Sequence, residues 1–328
     1  MALSQASWYV NSLKMQNKLY PVYFYLVVLF MAALLAAAGC TASRKTSRGM
    51  SCLENNDPDG AIEAFTSAIE ASPDFAETYY HRGNTWILKK EYQKAIADFS
   101  RAIELDADYA DAYFSRATAY IDQGDEPLGL ADLNKAIEIK PDLVLAYFAR
   151  ALLFKKMGDT DRALDDLNHV IKFGQKETAL AYFQRGLIYK ERGEIDQALA
   201  DFNKAISIKP RDPGPYILRA EIRLDQKRYD EAIEQCRLAL HIFPLATAAY
   251  RIKGDALMGK KDYDLALWNY SEAIDLDPDE PSLYAKRGEA WNKSGDLSAA
   301  CKDFRKACQL MDCSQAEFKA WMAEHCPQ

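Results

Sequence analysis

A tyrosine recurs through this chain at a spacing that leaves few folds open. Tyr79, Tyr113, Tyr147, Tyr182, Tyr216, Tyr250 and Tyr284 are separated by 34, 34, 35, 34, 34 and 34 residues. Three residues after each comes a base and then a small residue: Arg82-Gly83, Arg116-Ala117, Arg150-Ala151, Arg185-Gly186, Arg219-Ala220, Lys253-Gly254 and Arg287-Gly288. Later in each unit a small residue is followed four positions on by an apolar one, as in Ala95/Phe99, Ala163/Leu167, Ala198/Phe202, Ala266/Tyr270 and Ala300/Phe304. A second small residue follows, such as Ala102, Ala136, Ala205, Ala239, Ala273 or Ala307, and Pro141, Pro210, Pro244 and Pro278 close several units. Intervals of three, four and seven are helical, so each unit reads as two short helices with Gly or Asp between them. One such hairpin cannot bury both of its apolar faces, and the units must stack. A chain of 328 residues would ordinarily suggest about two globular domains. The repeat replaces that expectation with one continuous array.

These positions resemble the tetratricopeptide repeat, and the resemblance covers 42–314. Seven units carry it fully: 76–109, 110–143, 144–178, 179–212, 213–246, 247–280 and 281–314. A degenerate unit at 42–75 keeps Arg48-Gly49, Ala61, Phe65, Ala68 and Pro73 but has a polar first helix. The resemblance implies an all-α fold, a right-handed superhelical solenoid of stacked antiparallel hairpins. Residues 315–328 supply a cap and tail: Ser314-Gln315-Ala316-Glu317 forms a capping box before a helix over 315–326. Phe318, Trp321 and Met322 lie on one side of that helix, with Lys319 and Glu324 left for water.

The N-terminal segment is of another kind. From Leu19 to Gly39 the chain runs 21 residues without a charge, preceded by Lys14 and Lys18 and ending in Ala36-Ala37-Ala38-Gly39-Cys40. A basic start, an apolar middle and small residues at the end make residues 1–39 a secretory signal, with Met15 as a possible true start. Ala37-Ala38-Gly39-Cys40 resembles a bacterial lipobox, which implies a diacylated Cys40 as the new N-terminus and a short polar leader over 40–48. Thr41 after that Cys resembles sorting to the periplasmic face of the outer membrane. The alternative is an uncleaved inner-membrane helix, since 21 residues at ~1.5 Å each span a bilayer. Both place the array outside the cytoplasm.

Little in the chain supports catalysis. Net charge is −7, which argues against a duplex nucleic-acid binder working by phosphate neutralisation. Asp stands sixteen residues after most of the recurrent bases, pairing Arg82 with Asp98, Arg116 with Asp132, Arg150 with Asp166, Arg185 with Asp201 and Arg287 with Asp303. In an antiparallel hairpin those positions meet, so the pairs read as structural hydrogen bonds rather than an anion site. Arg219 faces Gln235, and Lys253 faces Asn269. His81, His169, His241 and His325 fall at different repeat positions without a metal-ligand partner. No cofactor or metal is expected, and the chain reads as a non-enzyme.

The cysteines cluster. With Cys40 lipidated, Cys52 and Cys236 sit at packing positions, and Cys301, Cys308, Cys313 and Cys326 fall in the last unit and cap. Cys301 and Cys308 lie on one helix ~10 Å apart, and Cys313 and Cys326 at opposite ends of the next, so neither pair can bond. Across the hairpin, Cys308 meets Cys313 and Cys301 meets Cys326. Zinc is the rival, though the spacing lacks a metal knuckle.

The resemblance also implies that first helices line a concave groove, with the residue after each recurrent Tyr pointing into it. Those residues are Tyr80, Phe114, Phe148, Phe183 and Ile217, then Arg251 and Ala285. A turn further lie Asn84, Thr118, Leu152, Leu187 and Glu221, with Lys155 and Lys190 beyond. Exposed aromatics with a basic edge suit an extended peptide or helix; ordinary burial between units is the competing reading. The chain is thus expected to be a membrane-anchored scaffold for protein partners in the bacterial envelope. The alternatives are an accessory subunit of an envelope enzyme or of a secretion or pilus machine, and a glycan-binding superhelix. Partner identity and oligomeric state stay open.

Overall fold

The computed structural model describes residues 41–311, 313 and 318–326. The signal segment 1–39, the lipidation candidate Cys40 and the capping box at 314–317 lie outside the described residues. Those described form seventeen helices and no strand. The chain divides into two compact units, residues 1–169 and 170–328.

The first unit contains the hairpins α1 (Thr41–Glu54) with α2 (Pro58–Ala71), α3 (Ala76–Leu88) with α4 (Tyr92–Leu105), and α5 (Ala110–Gln123) with α6 (Glu126–Ile139). It ends with α7 (Val144–Lys156) and most of α8 (Thr160–Phe173). The second contains α9 (Thr178–Glu191) with α10 (Ile195–Ile208), α11 (Pro213–Asp225) with α12 (Tyr229–Ile242), and α13 (Thr247–Gly259) with α14 (Tyr263–Leu276). The last hairpin, α15 (Pro281–Ser294) with α16 (Leu297–Leu310), is followed by the cap helix α17 (Phe318–His325). Within each unit consecutive helices pack on one another.

The short polar leader expected over 40–48 is helical where it is described. Residues 41–48 are the first turns of α1. Thr46, Gly49, Met50 and Leu53 recur at helical spacing on its buried side, with Thr46 hydrogen-bonded to Thr78 and Gly49 set against Phe65.

Helix boundaries follow from local chemistry. Asp57, Asp125, Asp212, Asp262 and Asp296 cap α2, α6, α11, α14 and α16 by accepting a backbone N–H of the first turn. First helices end in a left-handed residue: Gly124, Gly158, Gly193 and Gly295 adopt it freely, whereas Asn56, Lys90, Lys227 and Lys261 adopt it at steric cost.

The two helices of a hairpin meet through a size match. A Cβ at Gly83 would lie 2.6 Å from the Phe99 ring, and one at Gly186, Gly254 or Gly288 would meet Phe202, Tyr270 or Phe304 at 2.7, 2.6 and 2.7 Å. Where the first helix carries Ala117, Ala151 or Ala220 instead, the opposing residue is the smaller Leu133, Leu167 or Cys236. Glycine thus accompanies an aromatic ring and alanine a smaller side chain, which keeps the interface filled without overlap.

Candidate functional site

The recurrent Arg and Asp meet within each hairpin that carries both. Arg82, Arg116 and Arg150 in the first unit donate two hydrogen bonds each to Asp98, Asp132 and Asp166, at 2.7–2.8 Å. Arg185 and Arg287 do the same to Asp201 and Asp303 in the second. The five Asp carboxylates are buried, and the bonds they accept hold the guanidinium groups above the ordinary arginine range. Four of these bases are seen to reach back sixteen residues: Arg82 Nη1 donates to Thr66, Arg116 to Ser100, Arg150 to Asn134 and Arg287 to Ser271. The polar residue at that offset is visible in the sequence and completes a ladder that ties one hairpin to the next.

The candidate binding residues fare differently. In the first unit Phe148 is only 7% exposed and Asn84 is buried. Tyr80 packs its ring 5.0 Å from that of Tyr109 and 6.0 Å from that of Phe99, while Phe114 packs against the core around Ala117 and Leu133. Burial drives the Tyr80 hydroxyl above its usual range. In the second unit Phe183 is 5% and Ile217 4% exposed, and the Phe183 ring lies 6.0 Å from that of Phe202. Phe148, Phe183 and Ile217, expected to be open, are therefore buried, and Tyr80 and Phe114 are half-buried. These side chains fill the space between neighbouring helices. What the same helices leave open is Leu152, 37% exposed, with Lys155 half-buried beyond it in the first unit. In the second, Leu187 and Lys190 are half-buried, and Lys190 Nζ donates to Glu221 at 2.8 Å.

A charged network that sequence reasoning missed occupies the second unit. Asp255 accepts hydrogen bonds from Lys286 Nζ at 2.8 Å, Tyr270 Oη at 2.7 Å and Arg251 Nη1 at 3.2 Å. It ties α13, α14 and α15 together. Burial and the neighbouring carboxylate raise the Tyr270 hydroxyl above its normal range. Lys190, Ile195, Ile222 and Asp225 line part of an open cavity of about 270 Å³. That is below the size of an ordinary small-molecule pocket, ~300–1,000 Å³.

The cysteine clusters close the chain. Cys301 is bonded to Cys326 and Cys308 to Cys313, so both ends of the cap segment are fastened to α16. The Trp321 ring stands edge-on to Phe304 at 5.2 Å and stacks on His325 at 4.8 Å. Cys236 is buried, which pushes its thiol up to about 12, and Cys52 is half-buried beside the core of the first hairpin. His81 lies 3.5 Å from Glu77, and His169 stacks on Tyr147 at 3.7 Å. Among the described residues no group of three His, Cys, Asp or Glu is placed to hold a metal. No described helix is long and apolar enough to cross a membrane.

Four family models match the chain. One described as Tetratricopeptide repeat covers 179–212, two others of that description cover 110–143 and 145–173, and one described as TPR repeat covers 87–124 and 254–295. No curated protein matches. Among solved structures, the C-terminal part of a TPR repeat-containing protein from Cytophaga hutchinsonii is 16% identical. It covers 76% of this chain and 100% of its own, with a TM-score of 0.61. Cut9–Hcn1 of the APC/C is 12% identical over 90% of this chain and 58% of its own, with a TM-score of 0.58. MamA is 27% identical over 48% of this chain and 92% of its own, with a TM-score of 0.46.

Proposed function

Because the chain belongs to the tetratricopeptide-repeat family, whose arrays are scaffolds for protein–protein interaction, we propose that it is a non-catalytic adaptor of the bacterial envelope. Lipid on Cys40 holds it at the periplasmic face of the outer membrane, and its first helices receive a peptide or helix of a partner protein. The observation that carries the binding surface is Leu152, a large apolar side chain left exposed on α7 beside Lys155. Phe148 and Phe183, two of the aromatics that would have favoured a glycan, are buried.

Affinity capture from membranes by the full-length lipidated protein, followed by mass spectrometry, is the test of the scaffold reading. Leu152→Asp and Leu187→Asp are expected to abolish capture of specific partners while leaving helicity intact; undiminished capture overturns the first-helix surface. Palmitate labelling that disappears in Cys40→Ser supports the lipid anchor, and labelling that persists, or is absent from the parent chain, overturns it.

A further inference from the structure

The carboxylate of the Arg–Asp ladder is missing from two successive hairpins of the second unit. Opposite Arg219 stands Gln235, and opposite Lys253 stands Asn269. Among the described residues neither base has a carboxylate within ion-pair distance, and the side-chain oxygens of Gln235 and Asn269 are buried without a hydrogen-bond partner. Asn269 turns its Nδ2 to the Leu265 carbonyl instead, at 2.7 Å. Burial, together with the nearby Arg223, holds Arg219 below the ordinary arginine range. A half-buried cation deprived of its counter-charge is costly, and here two occur in adjacent repeats.

Apolar surface emerges at the same place. The residue preceding the ladder carboxylate is Ala97, Ala131, Asp165, Ala200 or Lys302 in the intact hairpins. In α14 it is Trp268, 50% exposed, with Leu265 one turn earlier at 52%. Lys253 Nζ lies 5.8 Å from the Trp268 ring centre, and the Tyr250 ring stands edge-on to Trp268 at 6.1 Å. Cationic and apolar groups thus adjoin here; Leu128 of α6 is exposed at the position of Leu265, but its neighbour at the Trp268 position is Ala131 and its ladder base is paired.

We propose that this edge of the second unit binds an acidic peptide segment of another protein. Its carboxylates pair from the solvent side with half-buried Arg219 and Lys253, supplying the counter-charge that Asp201 and Asp303 supply in the intact hairpins, and an apolar side chain of the segment lies on Trp268 and Leu265. Charge complementarity selects the occupant. Five intact hairpins meet a base at this position with a carboxylate. The chain's net charge of −7 disfavours a long polyanion. The site shares no residue with the Leu152 and Leu187 surface and stands independently of it.

The test is a fluorescence-anisotropy titration of the full-length chain with a labelled hexapeptide of four glutamates around a Leu-Phe pair. The same peptide with lysines, inorganic phosphate and anionic phospholipid vesicles serve as comparisons. Gln235→Asp with Asn269→Asp returns each base its own carboxylate, and Trp268→Ala removes the apolar contact; circular dichroism checks that both variants keep their helicity. Binding of the acidic peptide that falls about tenfold or more in each variant, and persists in Leu152→Asp, supports the proposal. No binding by the parent chain, equal binding of the lysine peptide, or binding unchanged in the ladder-restoring variant overturns it. Phosphate or vesicle binding that is lost in that variant while the peptide fails to bind also overturns it, in favour of a phosphate group.

Discussion

In the first unit each hairpin from α3 to α8 holds a bidentate Arg–Asp pair, and each Arg reaches back to the preceding hairpin. In the second unit the pair is present in α9–α10 and α15–α16 and absent from the two hairpins between. Those two hairpins still form helices of the same length with the same packing of small residues. The ladder is therefore not what makes a hairpin; it links one hairpin to the next. Where it lapses, other ties appear: Lys190 to Glu221, and Asp255 to both Arg251 and Lys286. The second unit also closes with two disulfides.

The largest expected effect separates intact from broken rungs. Asp132→Ala strands the Arg116 guanidinium in a half-buried site and should cost about 4 kcal/mol, whereas Gln235→Ala should cost less than about 1 kcal/mol. Repeat arrays unfold in parts, so hydrogen exchange resolved by unit is the suitable measurement. Equal losses would erase the distinction between the units. Next comes the closure of the second unit. Cys301→Ser with Cys326→Ser opens a loop with a sequence separation of 25 and should cost about 3 kcal/mol, against about 2 kcal/mol for the Cys308–Cys313 bridge, with a separation of 5. Thermal melts with and without reductant check the order, and the loss should fall on exchange in the second unit only.

Smaller effects probe what the units share. Gly83→Ala should destabilise the first unit by about 2 kcal/mol through overlap with Phe99, and Phe99→Leu should rescue it in a double-mutant cycle. The same cycle at Gly254 and Tyr270 should behave alike, with the added loss of the hydroxyl that Tyr270 donates to Asp255. Smallest is Lys90→Gly, which relieves a left-handed residue and should stabilise by about 1 kcal/mol in urea denaturation. Gly124→Ala should have the opposite sign, since its φ is +89° with open space around it.

The 34-residue period was sufficient to place both helices of every hairpin, because a helical interval and a closing turn recur together. The +16 offset marked the Arg–Asp partners, and the antiparallel geometry marked the cysteine pairs, because both depend only on distances within one hairpin. Exposure did not follow from the pattern. Tyr80 and Phe183 stand beside the recurrent Tyr, and rings of their own repeats, Tyr109 and Phe202, close over them. The distance between facing segments decides that, and the spacing of residue types along the chain does not give it. The backward reach of Arg82, Arg116, Arg150 and Arg287 to Thr66, Ser100, Asn134 and Ser271 could have been found by comparing offsets of minus sixteen as well as plus sixteen. The Asp255 network could not, since Arg251, Tyr270 and Lys286 have no counterparts of the same type in other units.

The size match within hairpins bears on how such a chain can be cut and rejoined. Each hairpin carries both halves of its own fit: Gly83 with Phe99, Ala117 with Leu133, Ala220 with Cys236. A crossover in the link between hairpins moves a matched pair whole. A crossover inside a hairpin splits it, setting Ala against a ring that has no room for a methyl, or Gly against a side chain too small to fill the gap. The hairpin is thus the smallest cassette that can be shuffled without repair.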